Sequence, residues 1–386
     1  MNKQTVKLTD ICDFQGGSQP PKEQWLTTPE SGYIRMLQIR DFTQSGVQEE
    51  YIKLTPSTKT CKKDDILIAR YGASVGKILT GLEGAYNVAI MKTIPNERVL
   101  QKKYLYYFLR TRYFQDTIQN VGSRAAQAGF NKSELEDIMI YLPNACAQEK
   151  IVCVLEKAQQ LIDKRKEQIQ ACEELIKSQF IEMFGSVEQT KYAISSLNDI
   201  CEFIKDGTHQ TPTYTEDKID GYKFISSKDV TSGKIDWSNI KYIPKELHEE
   251  LYAKIAPRRN DILLAKNGTT GICAIVETDD VFDIYVSVAI LRPKQGYNSQ
   301  YLWGAINSFD TKRHFDRSLK GIGVPNLHLG EIKKTKIIVP PIELQNEFAQ
   351  FVQQVDKLKF GMEQSLKELE DNFDSLMQRA FKGELF

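Results

Sequence analysis

Asp65-Ile66-Leu67-Ile68-Ala69-Arg70-Tyr71-Gly72 returns 196 positions later as Asp261-Ile262-Leu263-Leu264-Ala265-Lys266-Asn267-Gly268. Each copy is an apolar run that ends in a polar, glycine-punctuated turn, the pattern of a buried strand entering a loop. The match spreads outward from there. Asp10-Ile11-Cys12-Asp13-Phe14 returns as Asp199-Ile200-Cys201-Glu202-Phe203, and Arg40-Asp41 as Lys228-Asp229. Val88-Ala89-Ile90 matches Val288-Ala289-Ile290, Tyr104-Leu105 matches Tyr301-Leu302, and Leu142-Pro143 with Gln148 matches Val339-Pro340 with Gln345. The offset drifts between 188 and 200, so insertions fall in loops while framework positions persist. A unit this long is a domain and not a solenoid repeat. The chain reads as two similar domains, each followed by its own long helix.

The domain part of each repeat mixes short strands, turns and a few helices. Residues 101–118 predict a helix with an aromatic face (Tyr104, Tyr107, Phe108, Phe114), and residues 301–315 its counterpart. At helical spacing such faces are core rather than stacking platforms for bases. Final strands at 138–142 and 337–339 are stopped by Pro143 and by Pro340-Pro341. Beyond them the period changes. Ile151, Leu155, Ala158, Ile162, Ile169, Cys172, Ile176 and Met183 alternate steps of four and three, as do Leu344, Phe348, Phe351, Val355, Leu358, Met362, Leu369, Phe373, Leu376 and Ala380. This is the seam of a coiled coil, and each helix is the obvious partner for the other. At ~1.5 Å per residue the two rods, 148–184 and 343–381, reach about 55–60 Å. The expected layout is a first domain at 1–147, a helix at 148–185, a second domain at 186–342, and a helix with tail at 343–386. The fold class is α+β.

Composition narrows the function classes. The 386 residues are 41% hydrophobic and 26% charged, ordinary for a globular protein. No apolar stretch approaches the ~20 residues that cross a bilayer, and the first residues lack the apolar core of a signal peptide, so a cytoplasmic protein is expected. The seven cysteines form no CxxC, and the four histidines are scattered, so no metal signature is present. Net charge is zero but unevenly placed. Residues 1–147 hold 19 Lys and Arg against 15 Asp and Glu, whereas residues 343–386 hold five against nine. The domains lean basic and the last helix acidic, a tilt compatible with DNA binding through local patches.

The strand-to-glycine turns, the proline-then-glutamine helix starts and the tail Arg379-Ala380-Phe381-Lys382-Gly383-Glu384-Leu385, repeated in order over essentially the whole chain, resemble the specificity subunit of Type I restriction-modification systems. The resemblance implies two target recognition domains on two long antiparallel coiled-coil helices, with approximate two-fold symmetry within one chain. It implies that each domain reads one half of a bipartite, asymmetric target in double-stranded DNA. Two modification (methyltransferase) subunits would dock on the helices, and a restriction (motor-nuclease) subunit would complete the enzyme. S-adenosylmethionine, ATP and Mg would be held by those partners, with no cofactor in this chain. Successive major-groove faces lie ~34 Å apart, a separation that helices of this length suit as spacers.

Candidate DNA contacts are polar loops shared by both copies. Arg70, Ser74 and Lys77 lie on one turn, and Lys266, Asn267, Thr269 and Thr270 on its counterpart. Arginine and lysine suit guanine edges or phosphates, and asparagine suits adenine. The competing account is a plain surface hairpin whose glycines permit positive φ. A phosphate loop is excluded, since only three residues separate Gly72 from Gly76 and Ile78 stands where Ser or Thr would be needed. Ser18 and Gln19 pair with Thr208 and His209 in loops after the first strand, where ordinary turn chemistry competes. Arg124, Lys320 and Asn326 lie before the last strand.

No catalytic site is legible. Pro20-Pro21 and Pro340-Pro341 are preceded by Gln19 and Val339, not by the Asn or Asp of an adenine methyltransferase loop. Glu216-Asp217-Lys218 and Glu331-Ile332-Lys333 are too short to mark a metal-dependent nuclease. The expected function is therefore a non-catalytic DNA reader. The alternatives are a stand-alone nuclease or methyltransferase fragment, and a protein scaffold with no DNA role.

Overall fold

The two quoted strands are inner strands of two four-stranded antiparallel sheets. In the computed structural model, which describes residues 4–122, 129–319 and 325–386, Leu67–Ala69 lies between Ile90–Pro95 and Ile78–Leu79, with Cys12–Gly16 at the far edge. Ile262–Ala265 lies likewise between Val288–Pro293 and Cys273–Ile275, with Cys201–Asp206 at the edge. Their unbroken apolar runs follow from burial on both faces. Ile66 and Ile68 point into one core while Leu67 and Ala69 point into another; Ile262 and Leu264 part from Leu263 and Ala265 in the same way.

The chain forms two units, Met1–Arg165 with Ser365–Phe386, and Lys166–Gln364. The first adds a sheet ordered Tyr51–Lys53, Tyr33–Leu37, Gly84–Tyr86, Thr60–Cys61, whose middle pair is parallel, and a ribbon of Thr5–Lys7 with Met139–Tyr141. The second adds Lys241–Ile243, Tyr222–Ile225 and Phe282–Ile284, again with a parallel pair, and a ribbon of Ala193–Ser196 with Lys336–Val339. Topology thus repeats with the sequence. Where the first unit has Thr60–Cys61, the second has the helix Lys245–Lys254, which accounts for the rise in offset before Asp261.

Two sequence matches are displaced by register. Ala69 faces Ile90, but Ala265 faces Val288. Val288-Ala289-Ile290 is therefore the counterpart of Ile90-Met91-Lys92, and the match to Val88-Ala89-Ile90 slips by two residues. A two-residue slip keeps every side chain on its own face, so the apolar pattern cannot detect it. Phe14 and Phe203 differ more. A bulge between Cys201 and Phe203 turns Phe203 to the opposite face, under the Arg292 guanidinium at 4.7 Å, and Ile204 takes the core place that Phe14 fills in the first unit.

Each aromatic segment read as one helix is two. Lys102–Leu109 and Arg112–Gly122 part at Thr111, whose hydroxyl donates to the Phe108 carbonyl and accepts the Phe114 N–H. Ser299–Ile306 and Phe309–Ser318 part at Ser308, an N-cap. Tyr104, Tyr107, Phe108 and Phe114 are buried, as are Tyr301 and Phe315.

The long helices are Ala145–Phe184 and Ile342–Phe381, 40 residues each. Both contribute to both units. In the first, Ile151, Leu155 and Ile162 share a core with Phe373, Met377 and Ala380. In the second, Phe180 meets Phe348 at 5.4 Å and Cys172 meets Met362 at 4.0 Å, so the two segments run antiparallel. Ile176, Phe348 and Val355 are buried there; Ile169, Met362 and Leu369 are half-buried. Leu358 departs from the expected seam, being 61% exposed. From Val355 the seam advances four residues to Lys359, whose ammonium binds Glu173 on the partner helix, and then three to Met362. The heptad places Leu358 one step off that line. Phe180 and Phe184 are buried where the spacing named Met183.

Candidate nucleic-acid interface

In each unit two loops leave the same end of the four-stranded sheet, and a third, which precedes the last ribbon strand, is tied to the second of them. In the first unit Cys12–Gly16 runs on into Gly17, Ser18 and Gln19. The Gly17 N–H donates to the Ile90 carbonyl (3.0 Å) and that of Ser18 to the Tyr86 carbonyl (3.1 Å). A Cβ on Gly17 would stand 2.1 Å from the Asn87 carbonyl oxygen, so only glycine lets the loop lie this close. Leu67–Ala69 leads into a one-turn helix, Gly72–Ser74, and returns as Ile78–Leu79. Tyr71 bridges Gly129 of the third loop.

Arg70 binds this cluster together. Its guanidinium donates to the Phe130 carbonyl (3.1 Å), Asn131 Oδ1 (2.5 Å), the Tyr71 hydroxyl (3.2 Å) and the Val88 carbonyl (3.4 Å). Beside it the Lys132 ammonium pairs with Asp13, and that hydrogen bond holds the Asp13 carboxyl below the usual carboxylate range. Gln19 and Lys77 are exposed, and Ser18 and Ser74 half-buried.

The second unit builds the same edge with other chemistry. The Thr208 N–H donates to the Ile284 carbonyl (3.2 Å), and Gly207 repeats the close approach, its would-be Cβ 1.9 Å from that oxygen. Asn267 bridges Asn326, Gly268 donates to the Pro325 carbonyl (3.2 Å), and Leu327 to that of Lys266 (2.8 Å). The structure therefore brings Thr208, His209, Lys266, Asn267 and Asn326 into one cluster. Lys266 itself does not stand on the loop surface that its sequence position promised. It is 5% exposed, and its ammonium donates to Asp206 Oδ2 at 2.5 Å. A buried ammonium needs such a partner. His209 Nε2 lies 3.4 Å from the other Asp206 oxygen. His209 and Thr269 are exposed; Thr208, Asn267, Thr270 and Asn326 are half-buried. Arg124 and Lys320 lie outside the described residues.

Sequence reading missed Asp206, Asn131 and Tyr71 as the supports of these loops. An acidic residue is passed over when contacts to a polyanion are sought. The outward groups are hydroxyls, amides, an imidazole and an ammonium, all suited to base edges and phosphates. Among the described residues no group of three His, Cys, Asp or Glu could hold a metal ion, and no helix is long and apolar enough to cross a membrane.

Two like units, each with a three-loop polar edge and a share of both long helices, define a duplicated recognition protein. Residues 1–173 and 189–371 match the model of the Type I restriction modification DNA specificity domain, and the chain belongs to that family. It is 21% identical to the Type I restriction enzyme MjaVIII specificity subunit of Methanocaldococcus jannaschii, over 99% of this chain and 92% of that one. It is also 21% identical to the EcoBI specificity subunit of Escherichia coli, over 91% and 80%. The fold is shared with a solved chain described as "Structural basis underlying complex assembly and conformational transition of the type I R-M system" (TM-score 0.61, 16% identity, 99% and 98% covered).

Proposed function

We propose that this chain is the DNA-reading subunit of a Type I restriction-modification complex, each unit reading one half of a bipartite duplex target. The observation that carries this is the three-loop edge, present in both units on the same framework but with different side chains. A repeated scaffold with dissimilar loops is what reading two different half-sites demands, and it makes the target asymmetric. Ser18, Gln19, Ser74 and Lys77 face DNA in one unit, and Thr208, His209, Asn267, Thr269, Thr270 and Asn326 in the other. Arg124 and Lys320, which lie outside the described residues, are proposed as contacts from their sequence positions alone.

The chain supplies the address and not the chemistry. On this reading methyl transfer and cleavage fall to partners: two modification subunits on the long helices and a restriction subunit. S-adenosylmethionine, ATP and Mg belong to those subunits, and the complex works where the DNA is, in the cytoplasm.

Selection of the purified full-length chain on a pool of randomised duplexes tests the reading. Two short enriched blocks separated by unread positions are expected, with affinity falling steeply as salt rises, because phosphate contacts release counterions. No enrichment, or binding indifferent to salt, defeats it. So does methyl transfer or cutting by the chain alone when Mg and S-adenosylmethionine are supplied.

A further inference from the structure

The base of each loop cluster is built by a different charge scheme, and the two schemes occupy the same place. Gly16 faces Met91 and Asp206 faces Ala289 across equivalent rungs, so Gly16 and Asp206 are counterparts. Arg70 and Lys266 are counterparts in the quoted strands. A Cβ built on Gly16 would lie 3.0 Å from Arg70 Nη1. The guanidinium thus occupies the space that a side chain at that position would take. In the second unit a side chain is there, the Asp206 carboxylate, and the longer guanidinium is replaced by an ammonium bound to it.

We propose that Arg70 over Gly16, and Lys266 with Asp206, are exchangeable loop anchors: positioning residues that set the reading loops and do not themselves read bases. The inference rests on the DNA-reading function proposed above. Three observations carry it. The Arg70 guanidinium donates four hydrogen bonds within its own unit, two of them to the third loop, at the Phe130 carbonyl and Asn131 Oδ1. Lysine is a point charge without that planar fork. The second unit ties its third loop by backbone, through Leu327 to the Lys266 carbonyl and through the Asn267–Asn326 bridge, and the first unit adds the guanidinium to its own Tyr71–Gly129 bridge. Finally, a bare carboxylate at a DNA-facing edge would repel phosphates. Asp206 is neutralised by Lys266, and its second oxygen lies near His209, a candidate contact on the first loop. The same position therefore stiffens the cluster and removes its own electrostatic penalty.

The test uses the full-length chain carrying Asp206→Gly, and the double variant Asp206→Gly with Lys266→Arg, which recreates the first unit's scheme. Asp206→Gly leaves a buried ammonium unpaired and should speed amide exchange at residues 207–210 and 266–271. On a pool of randomised duplexes, preference at one half-site should drop by about tenfold, near the worth of one base pair's discrimination, while the other half-site is unchanged. The double variant should restore both slow exchange and preference. Unchanged exchange in Asp206→Gly, equal loss at both half-sites, or a double variant no better than the single one would overturn the inference. If Asp206→Gly unfolds the second unit, refolding by the second substitution supports it and failure to refold overturns it. A wild-type chain that enriches no sequence would defeat the DNA-reading function, and the exchange measurement would still decide the anchor.

Discussion

Gln148 Oε1 accepts the backbone N–H of Gln101 at 3.0 Å, from a side chain with no exposed surface. Its amide donates to the Val99 and Pro143 carbonyls at 2.7 and 2.9 Å. Gln345 repeats this, accepting from Asn298 at 3.0 Å and donating to the Pro340 carbonyl at 2.9 Å. One buried amide thus joins the start of each long helix to the start of the aromatic helix it packs on. Gln148→Leu keeps the bulk and strands those groups, so a loss of about 2–4 kcal/mol is expected, one to three unsatisfied buried groups' worth. With two units, global unfolding need not be two-state. Amide exchange at 99–109 and 145–155 is the measurement, and protection equal to wild type would show the clamp to be idle.

Much of this was legible beforehand. The repeated Gln after Pro, the duplicated apolar strands and the aromatic faces are framework, and framework has to recur wherever the same fold is built twice. Arg40-Asp41 and Lys228-Asp229 recur for a similarly local reason. Asp41 and Asp229 each accept the N–H of the residue three before them, at 2.8 Å, closing a capping box. What escaped reading was decided by register and by long-range contacts. The bulge that turns Phe203 away, the two-residue slip at Val288 and the burial of Lys266 depend on partners tens of residues distant. The paired change from Gly16 and Arg70 to Asp206 and Lys266 was visible within the one chain, but only the sheet register shows that the two positions touch.

Val355 and Leu358 separate pattern from packing. Val355 is 3% exposed against the second unit's core, and Leu358 is 61% exposed. Val355→Ala should cost about 1–2 kcal/mol, the lower end of what core truncations cost. Leu358→Ala should stay within about 0.5 kcal/mol, as surface changes do. Chemical denaturation of both variants checks the order. A larger loss at Leu358 would mean that the coiled-coil seam runs through it after all.

Asp283 gives the second unit a pH-dependent contribution at a place where the first unit has buried Ala85. Burial pushes the Asp283 carboxyl up to about 6, against the opposing pull of His248, whose Nδ1 lies 2.6 Å away and whose ring stacks on Tyr222. In the unfolded chain the group titrates near its ordinary value of about 4. Between those values the folded state holds the extra proton, so stability falls as pH rises from about 4 to about 6 and this contribution then levels off. Asp283→Asn removes the term. The stability of the wild-type chain minus that of the Asp283→Asn variant should therefore grow by at most about 3 kcal/mol as pH drops from about 7 to about 4. A difference flat across that range would show that Asp283 stays ionised beside His248.

Replacing residues 1–147 by the corresponding domain of another family member should change the bases read at one half-site and leave the other untouched. All three loops of the first unit lie within that span, and Arg70, Tyr71 and Asn131 tie the second to the third. The graft must keep what the retained helices grip. Tyr104 is needed 4.9 Å from Phe381, with its hydroxyl on the Tyr141 carbonyl at 2.7 Å. Gln101 must offer its N–H to Gln148. Gly383 also constrains the graft, since its positive φ and a would-be Cβ 2.9 Å from the Tyr141 ring fix the tail against that strand. A donor domain with an aromatic at 104 and a tyrosine at 141 should then fold on the retained helices. Sequencing the duplexes it enriches decides the matter, because altered preference at both half-sites would mean that the loops of one unit are set by the other and that reading is not modular.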